Sequence, residues 1–96
     1  MYAELVYWHK AVVQKYYILE LTIYKTEKSF RYPEGIKFRM ICKDLRNDNK
    51  VLIDNHYPKG PHIHLDDDEI AYKFIDENQL IKDFKRVVYQ HLGVKL

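Results

Sequence analysis

The chain reads as one α+β domain: an antiparallel β-sheet of about five or six strands with a single C-terminal α-helix packed on one face. Three observations predict this. Apolar and polar side chains alternate through the first two-thirds of the chain, the period of half-buried strands. Towards the C-terminus the period becomes helical, with Leu80, Ile81, Phe84, Val87 and Val88 on one stripe. The 96 residues are 47% apolar with only three Gly and three Pro, which suits one core layer and excludes both disorder and a second domain.

Residues 3–9 are rich in aromatic and β-branched side chains and suit a strand. A second strand begins at Tyr17, with Tyr17, Leu19, Leu21 and Ile23 on one face and Ile18, Glu20, Thr22 and Tyr24 on the other. No Gly or Pro separates the two, so a bend over residues 10–15 is inferred rather than signalled, with a short N-terminal helix as the alternative. Residues 29–35 carry Pro33 and Gly35 and read as a loop. In the third strand Ile36, Phe38, Met40 and Cys42 oppose Lys37, Arg39, Ile41 and Lys43. Residues 46–49 have the Asn and Asp chemistry of a turn.

A fourth strand over residues 50–56 puts Val51 and Ile53 on one face and Leu52, Asp54 and His56 on the other. Pro58, Gly60 and Pro61 break regular structure, after which residues 62–65 form a strand with Ile63 and Leu65 inward and His62 and His64 on the opposite face. The acidic run 66–69 is a solvated turn, and Ile70, Tyr72 and Phe74 start another alternation. For the helix, Asp76 is the N-cap, Gln79 completes a capping-box pattern and Gly93 sits at the C-cap.

A net charge of +2 neither demands nor excludes nucleic acid. Cys42, the single cysteine, has no partner for an internal disulfide and reads as a buried thiol of a reducing compartment. With no charged-then-apolar leader and no apolar run long enough for a membrane helix, the expectation is a cytoplasmic protein that does not engage membranes.

One face holds the residues with chemistry. If the 46–49 turn closes symmetrically, Arg39 lies opposite His56 and Lys43 opposite Leu52, which gathers Arg39, Asp54 and His56 beside Lys59 of the adjoining loop. His62 and His64 join from the next strand. Imidazoles exchange protons near neutral pH, and Arg and Lys hold phosphate oxygens. Cleavage of RNA without a metal requires those parts: a base, an acid and a cation on the phosphate. A lone strand histidine is more often structural, and His9 and His91 are read that way; three within nine residues, with Lys59 and Gly60 between them, raise the odds of a site.

A metal is the rival reading. His56-x5-His62-x-His64 with Asp66 offers ligands for zinc or another transition ion, and the string from His62 to Asp67 echoes part of the HxHxDH motif of metallo-β-lactamase-like hydrolases, in a chain too short for that fold. Strand propensity and packing account for most of the nine tyrosines, and Tyr72, near the histidines in sequence, is the one assigned to the site.

The segment Ile53-Asp54-Asn55-His56, then Lys59-Gly60, His62-x-His64 and Tyr72-x-Phe74, followed by Leu80, Asp83, Phe84 and Val87, resembles the TumE-like toxins of bacteria and archaea. The likeness runs over most of the chain and is best over residues 38–88. It departs from the commoner form at residues 66–69, where a Gly-containing turn is frequent. The resemblance implies the toxin of a toxin–antitoxin pair with a small cognate antitoxin as partner. By analogy with RelE-like toxins, it also implies action on RNA as a metal-independent endoribonuclease. It supports Asp54, His56, Lys59, His62 and His64, while Arg39 and Tyr72 come from the strand pairing. In this scheme His56, His62 and His64 are catalytic, Arg39, Lys59, Asp54 and Tyr72 bind substrate, no cofactor is needed, and a homodimer is possible. The alternatives are a protein-binding module without catalysis, and a metal-dependent phosphoesterase using His56, His62 and His64.

Overall fold

The computed structural model describes residues 3–96. Six strands follow one another across a single antiparallel sheet: β1 (Ala3–Val13), β2 (Tyr17–Thr26), β3 (Ile36–Asp44), β4 (Lys50–Asp54), β5 (His62–Leu65) and β6 (Asp68–Ala71), each paired with the next. One helix, α1 (Glu77–Leu92), lies over β3 and β4. The α+β class and the closing helix therefore stand as the sequence predicts.

Strand alternation builds the core. Leu19, Leu21 and Ile23 of β2 face Cys42, Met40 and Phe38 of β3, and Cys42 and Met40 in turn face Val51 and Ile53 of β4. All are buried, and Leu80, Phe84 and Val88 of α1 close over them. Burying that much apolar area is the main force holding the helix to the sheet. Burial pushes the Cys42 thiol up to about 11, with Asp44 adding to the rise. The group therefore remains a protonated, inert core residue.

The helix is capped at both ends. Asp76 Oδ1 accepts the Gln79 N–H at 2.7 Å, and Gly93 adopts the left-handed conformation at φ 73°. The capping box forms only in part, because the Gln79 side chain donates to Asp83 instead, at 2.8 Å.

Several boundaries differ from expectation, each for a local reason. β1 continues to Val13, and the bend falls at Gln14 and Lys15, both at positive φ, so the N-terminal helix does not form. Asp44 accepts the Arg46 N–H at 2.9 Å and its guanidinium at 3.0 Å, which starts the next turn one residue early. The β3–β4 register is consequently displaced by two residues: Arg39 faces Asp54, not His56, and Lys43 faces Lys50, not Leu52. A two-residue shift preserves the face of every side chain.

β4 ends at Asp54 because Asn55 turns inward. Its Oδ1 accepts the Phe38 N–H at 2.9 Å, and its Nδ2 donates to the Ile36 carbonyl at 2.9 Å. A side chain thus takes over the ladder to β3. β6 ends at Ala71, and beyond it Tyr72 reaches the helix while Phe74 packs back on the sheet. The Tyr72 hydroxyl donates to Asp83 at 2.7 Å and Phe74 stacks on Phe38 with centroids 5.5 Å apart.

Asp66, expected to be merely solvated, ties three elements together. It accepts the Lys50 N–H at 2.8 Å and pairs with His91 at the end of α1 at 2.9 Å. No helix in the described residues is long and apolar enough to cross a membrane.

Replacing Asn55 with Ala strands a buried N–H and a buried carbonyl and is expected to destabilise the fold by about 2 kcal/mol or more, measured by urea unfolding. Four carboxyls, Asp44, Asp66, Glu69 and Asp83, also sit below their ordinary range. Asp44 is lowered chiefly by hydrogen bonding to Arg46, and Asp66 chiefly by the Lys50 N–H. For Asp83 burial acts upward, and hydrogen bonds from Tyr72 and Gln79 outweigh it. With folded values below unfolded ones, their stabilisation is complete above about pH 4 and is lost as pH falls through the folded values. Thermal unfolding from pH 7 to 2 should show this acid loss, and Asp44→Asn should reduce it.

Candidate functional site

The side of the sheet away from α1 is left open, and the pairing registers align its side chains into rows. One row crosses the sheet from Trp8 on β1 through Thr22, Arg39 and Asp54 to His62 on β5. The next row contains Lys10, Glu20, Ile41, Leu52, His64 and Glu69. Strands spaced about 4.8 Å apart place Trp8 and His62 about 19 Å from one another along the first row.

The β4–β5 end of these rows carries a compact group. Asp54 and His62 face each other, and the His62 Nε2 atom lies 3.0 Å from Asp54 Oδ1. Their side chains are 15% and 7% exposed, so this pair is largely withdrawn from water. The His64 ring stands edge-on to that of His62 with centroids 4.5 Å apart. One donor atom from each of Asp54, His62 and His64 falls within 4.8 Å of the others.

The loop between β4 and β5 fixes the orientation of His62. Gly60 takes φ 73°, where a side chain would be strained, and its carbonyl oxygen approaches His62 Nδ1 to 2.6 Å. A carbonyl oxygen only accepts, so Nδ1 carries a proton and Nε2 is the nitrogen presented to Asp54. Asp54 Oδ1 is buried and has no hydrogen-bond partner among the described residues, although Nε2 is 3.0 Å away. The contact has the length of an ion pair but lacks the direction of a hydrogen bond.

Around this group the charges are mixed. Lys59 pairs with Glu69 at 3.0 Å, and that hydrogen bond is the main reason the Glu69 carboxyl lies below its usual range. Glu69 Oε1 comes within 4.0 Å of His62 Nε2. Arg39 is exposed beside Asp54, next to a cleft of about 220 Å³ lined by Thr22, Tyr24, Lys37 and Arg39 itself.

The structure therefore brings together Asp54, His62 and His64, with Arg39 and Lys59 at their margin. It leaves two expected residues outside. His56 is exposed in the segment beyond β4 and does not face Arg39, because the register shift and the inward turn of Asn55 end the strand before it. Tyr72 is a helix clasp, with its hydroxyl held by Asp83; burial first, and then that bond, raise its pKa far above the usual value. Lys37 shares the face of Arg39, as its strand alternation predicts, whereas Trp8 and Tyr24 were not assigned to that face. Their alternation with Arg39 becomes visible only once β1, β2 and β3 are paired.

Comparison of the chain with protein-family models, curated proteins and solved structures finds no significant match in any of the three.

Cutting one partner from the buried pair should cost more than removing both. His62→Leu leaves Asp54 buried and unpaired and is expected to destabilise by about 3–5 kcal/mol, whereas the Asp54→Leu, His62→Leu double variant should lose less. Urea unfolding of the four-member cycle in chelator measures the coupling.

Proposed function

We propose that this protein is the toxin of a toxin–antitoxin pair and cleaves RNA on the open face of its sheet. The observation that carries this reading is the row from Trp8 to His62, which joins an exposed aromatic ring and an exposed guanidinium to a buried acid–imidazole group. Single-stranded RNA is held by such elements: bases stack on aromatic rings and phosphates meet cations. The likeness of residues 53–64 to TumE-like toxins supports the toxin assignment.

In this reading Trp8 and Tyr24 receive bases, and Lys37 and Arg39 bind phosphates. The cleavage chemistry is centred on Asp54, His62 and His64. The 2′-oxygen attacks the adjacent phosphorus while its proton leaves, and the bond to the 5′-oxygen breaks as that oxygen gains a proton. Half-buried His64 is open to substrate, whereas His62 is held between Gly60 and Asp54 and acts as a positioning residue. Lys59, already paired with Glu69, contributes charge at the margin.

A second reading, a protein-binding module, is favoured by β1. This 11-residue edge strand leaves Leu5, Val6, Trp8 and Val12 exposed, and its free backbone groups suit addition of an extended segment from a cognate antitoxin. The two readings are compatible in one molecule, since the antitoxin edge adjoins the RNA row at Trp8.

His64→Ala is expected to lower RNA cleavage by about 10²-fold or more with folding intact. Arg39→Ala should weaken RNA binding and reduce the salt slope of log K by about one. Cleavage assays on purified protein, together with growth after induction, check both. Equal toxicity of wild type and His64→Ala would remove the catalytic reading.

A further inference from the structure

We infer that Asp54, His62 and His64 form a binding site for one divalent transition-metal ion of the zinc class. This deepens the ribonuclease reading by naming the cofactor of the same cluster, and rests on that reading only for the substrate. The donor set is two imidazoles and one carboxylate, the combination found at metal sites that keep a position open for water or substrate. The site commits to an ion rather than to a bare acid–imidazole pair for three reasons.

First, the tautomer is set for coordination. The Gly60 carbonyl holds the Nδ1 proton of His62 at 2.6 Å, so Nε2 is the nitrogen available as a ligand, and backbone carbonyls orient metal-bound histidines in this way. Second, Asp54 Oδ1 is buried without a hydrogen-bond partner among the described residues, a costly arrangement that a cation relieves.

Third, the approach of the two atoms has ligand geometry. A hydrogen bond needs the acceptor on the N–H axis, whereas two ligands of one ion both point at the ion and lie off each other's axes. With bonds of about 2.0–2.1 Å, neighbouring ligands are separated by about 2.9–3.4 Å. The Nε2–Oδ1 distance is 3.0 Å, and the contact lacks hydrogen-bond direction. His64, two residues along the same strand with its ring against that of His62, brings a third donor atom within 4.8 Å of the other two.

The cavity that touches the cluster is lined by Lys59, Pro61, His62, Glu69 and Ala71. An ion held by Asp54, His62 and His64 would supply a bound hydroxide to accept the 2′-hydroxyl proton and positive charge for a phosphate oxygen, in place of the metal-independent scheme expected from the sequence. His56 and Asp66, the other ligands that the sequence offers, are not part of the site. His56 lies beyond β4, and Asp66 is engaged by Lys50 and His91.

The test is titration of the chelator-stripped full chain with Zn²⁺ against a chromophoric competitor, repeated with Co²⁺ for its ligand-field absorption. Wild type should bind one ion per chain. His64→Ala and Asp54→Asn should each weaken binding by at least about tenfold, the smallest loss seen even for outer-shell partners. His9→Ala and His56→Ala should bind as wild type does. Zn²⁺ should also raise the melting temperature of wild type and not of His64→Ala, with circular dichroism reporting that both are folded. Should Asp54→Asn fail to fold, the comparison with His64→Ala decides.

Absence of stoichiometric binding overturns the site, as does binding that His64→Ala leaves unchanged. An RNA assay separates the two proposals. Zn²⁺ binding with no cleavage overturns the ribonuclease reading and keeps the ion site. Undiminished cleavage by ion-free protein that takes up no Zn²⁺ overturns the ion site and keeps the ribonuclease.

Discussion

The β3–β4 register decides what lies next to what on the open face. Asp44 captures the Arg46 backbone and side chain and thereby fixes where the turn begins, which sets Arg39 against Asp54. Asp54 in turn faces His62. A register slip of one residue would send every one of these side chains into the core and bring the apolar set out to water, so the buried face and the polar face enforce the same pairing. Asn55 then closes the strand by donating and accepting where the backbone ladder would have continued. One polar turn and one buried amide thus set the geometry on which the candidate site depends.

The two faces of the sheet do different work. The helix side is dry over β3 and β4, where Met40, Val51 and Ile53 meet Leu80, Phe84 and Val88. Stability is concentrated there, which frees the other side to expose charge and aromatic surface without a large energetic cost. Towards β1 the helix no longer covers the sheet, and the edge strand carries apolar residues at the surface. Such an edge is a liability in a solitary monomer and an asset in a protein that pairs with a partner.

Much of this was legible in the sequence, and the failures share a cause. Strand alternation in residues 17–24 and 36–43, and the helix stripe from Leu80 to Val88, depend on burial periodicity, which single residues report directly. The pairing of His62 and His64 on one face follows from the same rule. Apart from the Asp76 cap, what could not be read was decided by side-chain capture of the backbone. Asp44 moved a turn, Asn55 ended a strand before His56, and Asp66 became a tie between β4 and α1 rather than a solvated loop. Tyr72 and Phe74 kept the period of a strand, yet Tyr72 clasps the helix through Asp83 and Phe74 packs on Phe38 of β3, because two such residues spaced by one suit either role. The Trp8 row was invisible for a further reason: it requires four pairings at once.

At the site, burial and charge converge on the contact between His62 and Asp54. A carbonyl fixes one ring nitrogen, a buried carboxylate meets the other, and a second imidazole stands against the ring. With Arg39 and Trp8 on the same row, the proposed cleavage group would lie at one end of a track long enough for a few nucleotides. The most direct test of the RNA reading is to add short single-stranded RNA to the isotope-labelled protein and follow backbone and indole amide shifts by NMR. The account predicts perturbation along Trp8, Thr22, Arg39, Asp54 and His64, with α1 unaffected. Perturbation confined to the helix side, or none at saturating RNA, would contradict it.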